Sequence, residues 1–116
     1  MKIKEICELL DAEVLMDPVG DSVDFKCACG ADLMSDVLAF VKDQAVLLTG
    51  LVNPQVIRTA EMMDMRCVVF VRGKRPAQDV LDVAEECGIA LLSTEHTMFT
   101  ACGKLYASGL TGSAGR

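Results

Sequence analysis

Between Cys27 and Asp36 this 116-residue chain places two thiols, two carboxylates and a hydroxyl in ten positions: Cys27, Cys29, Asp32, Ser35 and Asp36. All are ligand-type side chains, but structural zinc takes four donors at spacings such as Cys-x2-Cys, repeated. Here the spacing is Cys-x-Cys, no second pair stands nearby, and His96 is the only histidine. The pattern favours two small side chains in a turn, with no metal bound. Asp32, Ser35 and Asp36 set paired carboxylates beside a hydroxyl, which can hold a divalent cation or act as acid and base. Serine as a helix cap with aspartate in the first turn accounts for the same letters without chemistry, and is the preferred reading.

A second set of candidates follows three apolar runs, AVLLT (45–49), CVVFV (67–71) and IALL (89–92). If these are parallel strands, their carboxyl ends gather Thr49, Gly50, Asn53, Arg72, Gly73, Lys74, Arg75, Ser93 and Thr94 at one edge, where helix N-termini offer N–H groups to an anion. Arg72-Gly73-Lys74-Arg75 is the densest positive spot on the chain. A small anionic or nucleotide ligand at this edge, with Asp32, Ser35 and Asp36 as further candidates, competes with the plainer account of a solvated basic turn. No Gly-x4-Gly-Lys-Ser/Thr loop and no Gly-x-Gly-x2-Gly fingerprint is present. His96 has no Ser or Cys partner in a recognisable motif, so no catalytic residues and no cofactor are assigned.

The elements that must position these residues are legible in outline. Continuous rather than alternating apolarity marks strands covered on both faces, the habit of parallel sheets. The runs start about 22 residues apart, room for one strand, one short helix and two tight loops in each right-handed crossover. Asn53 caps a helix opened by Pro54, with Val56, Ile57, Ala60 and Met63 facing inward. Pro76 opens the next, with Val80, Leu81, Ala84 and Cys87 as its buried stripe and Gly88 as its stop. The last helix starts near Thr94 and carries Met98, Phe99, Cys102, Leu105 and Tyr106 on one side, weakened by Gly103 by roughly 1 kcal/mol relative to alanine.

Before residue 45 the plan differs. An amphipathic helix holds Ile3, Ile6, Leu9 and Leu10; 13–16 and 23–27 are strands joined by the turn DPVGD; and Ser35 caps a helix with apolar Val37, Leu38 and Val41. The expected fold is a single compact α/β domain over residues 1–109, a mostly parallel sheet flanked by helices and built from repeated strand-helix units. Residues 110–116 are expected to form a disordered tail.

Composition narrows the function. A net charge of −6 argues against a nucleic-acid partner, since phosphate backbones are held by surplus Lys and Arg. No run approaches the eighteen or so apolar residues of a membrane span, and the start lacks an export signal, so a cytoplasmic protein with reduced cysteines is expected. Cys7, Cys67 and Cys87 fall where a small hydrophobe fits. Met62, Met63 and Met65 cluster at a helix end suited to an adaptable protein interface.

Residues 46–106, from VLLTG through NPQVIRTAEMMDMRCVVFVRGKRPAQDVLDVAEECGIALLSTEHTMFTACGKLY, resemble the DRTGG domain. ADLMSDVLA (31–39) is similar to a stretch typical of the stand-alone members, extending the resemblance to roughly residues 3 to 108. The chain also looks like a relative of the N-terminal domain of the HPr kinase/phosphorylase. The letters that name the family are replaced: Thr49-Gly50-Leu51 stands where glycine with Asp-Arg is expected, and Arg72-Gly73 where Thr-Gly-Gly is expected. The resemblance implies a non-enzymatic regulatory domain that forms dimers. Its implied partners are a second copy and a regulatory protein of the kinase, sensor or hydrogenase-associated kind. Self-association also follows if short helices leave an apolar face or sheet edge uncovered.

Overall fold

The computed structural model describes residues 1–40 and 45–112, with the side chain of Phe40 left out. In chain order the elements are α1 (Ile3–Leu10), β1 (Glu13–Met16), β2 (Cys27–Gly30), α2 (Met34–Phe40), β3 (Ala45–Thr49), α3 (Pro54–Met62), β4 (Cys67–Phe70), α4 (Gln78–Cys87), β5 (Ala90–Ser93) and α5 (Met98–Ala107). The five strands form one sheet in the order β1-β5-β4-β3-β2. β2 to β5 run parallel, and β1 joins antiparallel to β5.

The three apolar runs form the parallel centre of the sheet, as their composition requires. Every residue of β3, β4 and β5 is buried, so both faces of each strand are covered. Val46, Leu48, Val69 and Leu92 pack beneath α1 and α5, while Leu47, Val68, Phe70 and Leu91 pack beneath α2, α3 and α4. The crossovers β2-α2-β3, β3-α3-β4 and β4-α4-β5 all step the same way across the sheet. One handedness then puts their three helices on one face and leaves the other to α1 and α5. Each fully buried Leu, Val or Phe contributes roughly 1.5–3 kcal/mol.

Helix punctuation follows the sequence in two places. Asn53 accepts the Val56 N–H with Pro54 in the first turn, and Gly88 closes α4 in the left-handed conformation at φ 71°. α4 itself begins at Gln78 with Ala77 as its cap, so Pro76 sits in the approach and does not open the helix. Likewise α5 begins at Met98, four residues beyond Thr94, because Thr97 caps it by accepting the Thr100 N–H.

The first third of the chain departs further from expectation. The segments 13–16 and 23–27 do not form a hairpin: β1 and β2 lie at opposite edges of the sheet. Residues 23–26 are outside the ladder, and the Phe25 N–H donates to the Met1 carbonyl at 2.7 Å while the Phe25 ring is buried. The strand starts instead at Cys27, so Cys27-Ala28-Cys29 is an edge strand and not a turn. Its side chains alternate, Ala28 toward α1 and α5, Cys27 and Cys29 toward α2 and α3. Ser35 lies inside the first turn of α2 and does not cap it. Leu38 is 42% exposed, and Val41 lies outside the described residues. Of the tail expected to be disordered, Leu110 is buried and Thr111 is tied to β2 through Ala28 N–H to Thr111 O at 2.9 Å and Thr111 N–H to Lys26 O at 3.2 Å. Residues 113–116 lie outside the described residues. Among the described residues no helix is long and apolar enough to cross a membrane.

Candidate functional site

Because β2 to β5 are parallel, their carboxyl ends open onto one rim, and the loops that follow them meet there. Asp32, two residues past β2, is the organising side chain. Its Oδ1 accepts the Thr49 hydroxyl at 3.0 Å and the Gly50 N–H at 2.7 Å. Thr49 is fully buried at the end of β3, and its Oγ1 also accepts the Leu51 N–H at 3.2 Å. A carboxylate therefore occupies the loop N–H that an incoming anion would otherwise use.

Arg72 follows β4 in the left-handed region at φ 58°, and Gly73 repeats that conformation at φ 68°. Two backbone bonds hold this turn against the loop after β5: Arg72 N–H to His96 O and Gly73 N–H to Thr94 O, both 2.8 Å. The turn lays the Arg72 guanidinium directly over Gly50, where an added β-carbon would lie 2.6 Å from Nη2. Glu95 covers Gly73 in the same manner, its Oε2 2.6 Å from the position of a β-carbon there. Each glycine thus leaves room for a charged side chain to rest on the main chain. Among the described residues no carboxylate lies within ion-pairing distance of Arg72 or Lys74.

The structure brings Asp32, Thr49, Gly50, Arg72 and Gly73 together. Among the other candidates, Asn53, Ser93, Thr94 and Arg75 make local contacts, and Lys74 is exposed beside Gly73. Asn53 is committed to capping α3. Ser93 donates to Lys74 O at 2.9 Å, and Thr94, also buried, donates to Leu10 O at 2.7 Å. Arg75 turns away to pair with Glu13 Oε1 on β1 at 2.5 Å, which holds the Glu13 carboxyl below its ordinary value. Ser35 and Asp36 are exposed on α2 and share no hydrogen bond with the rim among the described residues. Asp36 does act on Cys29, whose thiol is pushed up first by burial and then by electrostatic interaction with Cys102, Asp36 and Cys27. No group of three or more His, Cys, Asp or Glu side chains among the described residues is placed to hold a metal ion. The rim can recognise charge and hydrogen bonds, and the Thr49 hydroxyl that donates to Asp32 is fully buried.

A second feature was hidden at the sequence level. Phe99 and Tyr106, expected on one side of the last helix with Met98, Cys102 and Leu105, are 88% and 69% exposed on α5, while Leu105 is buried. The inward side of that helix is carried by Ala101, Leu105, Met98 and Cys102. Between α5 and the edge of β2 lies an open apolar groove of about 450 Å³, floored at Gly30, where a β-carbon would lie 2.6 Å from Cys102 Sγ. The spacing of Phe99, Gly103 and Tyr106 at i, i+4 and i+7 was visible in the sequence, but its orientation was not. Glu95, beside the expected Ser93-Thr94 edge, is the rim residue that sequence reasoning missed.

With this geometry in place, comparison with known proteins matches residues 5–108 to the DRTGG domain. Among solved structures, the fold is similar to the crystal structure of the CBS and DRTGG domains of the regulatory region of Clostridium perfringens pyrophosphatase complexed with its activator, diadenosine tetraphosphate. The TM-score is 0.74 at 16% identity, covering 94% of this chain and 47% of that one. This chain thus spans about half of that relative, and at such identity the likeness is one of fold.

Proposed function

We propose that this chain, which belongs to the DRTGG domain family, works in the cytoplasm as a non-catalytic regulatory module that self-associates. The observation that carries the reading is the outward face of α5, where two aromatic rings stand in water beside an apolar groove. Contiguous exposed apolar surface on a small soluble domain marks an interaction site. Light scattering at micromolar concentration should give twice the 12.5 kDa protomer mass; a monomer mass throughout refutes it.

A second reading has its own support in Arg72. Its guanidinium rests over Gly50 at the strand ends and forms no ion pair among the described residues, although Asp32 Oδ1 lies beside the same position; with exposed Lys74 next to it, it suits a small anion. The regulatory region of the pyrophosphatase is complexed with a dinucleoside polyphosphate, so nucleotides lead the panel to be tried here. A ligand that binds only the native state raises the melting temperature. At least one nucleotide or phosphorylated metabolite should do so, and Arg72→Ala with Lys74→Ala should abolish the rise. A flat response across a broad panel removes this reading and leaves the first intact.

A further inference from the structure

We propose that the open edge of β2 and the groove between β2 and α5 together receive an extended peptide segment of a partner protein. The segment adds a sixth strand parallel to β2, sets a large apolar side chain in the groove and carries basic residues at its flanks. The proposal goes beyond self-association, because the bonds it uses belong to a sheet edge.

The track for such a strand is already marked by the chain's own strap after α5. β2 is the last strand of the sheet on this side, and Thr111 pairs with Cys27 across its open edge as a parallel bridge. Thr111 N–H donates to Lys26 O at 3.2 Å, and Thr111 O accepts the Ala28 N–H at 2.9 Å. Ala31 N–H, by contrast, donates inward to Leu48 O at 3.0 Å. Backbone groups on one side of a strand recur every second residue, so Ala28 C=O and Gly30 N–H point outward with the Ala28 N–H. Among the described residues neither has a backbone partner on that edge. An added parallel strand finds Lys26 C=O, Ala28 N–H, Ala28 C=O and Gly30 N–H in a row, and the strap uses only the first two.

The side chains identify the occupant. Thr111 is level with Cys27, which faces α2 and α3, so strap positions 110 and 112 face α5. Leu110 does so and is 4% exposed, packed in one cluster with Ala101 and Leu105. Gly112 has no side chain to offer, and the β2 residues level with it and beyond on that face are Ala28 and Gly30. These three small residues leave about 450 Å³ open, beside Met98 and Cys102, where the next inward side chain of a strand belongs. The segment that fits has apolar residues two apart, the first in the seat of Leu110 and the second, a large one, in the groove. In strand addition the main-chain bonds give affinity and the alternate side-chain pockets give selectivity. Gly109 precedes the strap at φ 115°, a conformation that glycine adopts readily, so the strap can be turned aside at one residue. The net charge of −6 draws basic flanks and repels acidic ones.

Fluorescence anisotropy on the full chain tests this with two labelled peptides, Lys-Gly-Leu-Thr-Phe-Ser-Lys and its counterpart with glycine in place of phenylalanine. The first keeps the strap's Leu-Thr and puts a ring at the groove position. It should bind about tenfold more tightly than the second or better, the scale of a buried aromatic anchor. It should also slow alkylation of Cys102, which lines the groove, while leaving Cys87 on the opposite layer unchanged, read by peptide mass spectrometry. Gly112→Phe in the full chain supplies the ring from the strap itself and should weaken the first peptide about tenfold or more. Circular dichroism verifies that this variant folds, and if it does not, the Cys102 protection in the wild-type chain decides. No binding of either peptide, equal affinity for both, or binding without protection of Cys102 overturns the proposal. Protection of Cys102 that rises with the chain's own concentration and shuts out the peptide makes a second copy the occupant, and overturns it as well.

Discussion

Gly103→Ala should stabilise the folded chain. Gly103 sits inside α5, with four helical residues after it and five before. Its conformation is the ordinary helical one, since it is absent from the positive-φ residues. The β-carbon of alanine would meet nothing within 4 Å, so no packing cost opposes the change. What remains is helix propensity, about 1 kcal/mol in favour of alanine in a helix interior. With an unfolding entropy of about 2.1 cal/mol/K per residue over 116 residues, that corresponds to a rise of about 4 °C in melting temperature. The assay is a thermal melt by circular dichroism, repeated at falling protein concentration so that any self-association through α5 drops out and the protomer alone is read. An unchanged or lowered melting temperature at the lowest concentration would refute the reasoning, because the helix at Gly103 would then be either unformed or closely covered.

Other substitutions probe the rim and the thiols. Asp32→Ala removes the acceptor of the buried Thr49 hydroxyl and the Gly50 N–H, and should cost about 1–3 kcal/mol in chemical denaturation; Asp32→Asn, which keeps an acceptor oxygen, should recover part of it. The Glu13 carboxyl is held below its ordinary value by the Arg75 hydrogen bond and charge. Its contribution is therefore present above the unfolded carboxyl value and lost as pH falls through the folded one. The gap in melting temperature between wild type and Glu13→Gln should accordingly close in acid, and a constant gap down to pH about 2, below the ordinary carboxylate range, would contradict the pair. Burial pushes up the thiols of Cys29, Cys67 and Cys102, and Cys87 is raised to about 11 by burial and then by its hydrogen bond to Glu61. Alkylation at neutral pH should therefore be slow in the native protein and fast in denaturant, because the thiolate is the reactive form. Freshly purified protein should carry well under one equivalent of zinc; a stoichiometric content would restore Cys27 and Cys29 as ligands.

The parallel centre of the sheet was legible because its signal is local. A strand covered on both faces must be apolar at every position, and runs 45–49, 67–71 and 89–92 say so without reference to anything else. Asn53 and Gly88 were legible for the same reason, since a cap acts on its own helix. Ser35 and Pro76 misled because a residue that suits a cap or first turn also suits the loop or helix beside it, and one or two residues of register decide between them.

What the chain alone determined is the count and direction of the central strands, and hence that their loops would share one rim. Only tertiary structure decided that β1 and β2 go to opposite edges, because 13–16 and 27–30 draw their hydrogen bonds from β5 and β3, strands distant in sequence. It likewise decided that Asp32 closes over Thr49 and Gly50 and that Arg72 lies on Gly50. α5 is the clearest case: with apolar residues on nearly every side, its sequence cannot distinguish the face that covers the sheet from the face left in water. That choice was made by the sheet, whose surface accepts Ala101 and Leu105 and leaves Phe99 and Tyr106 outside.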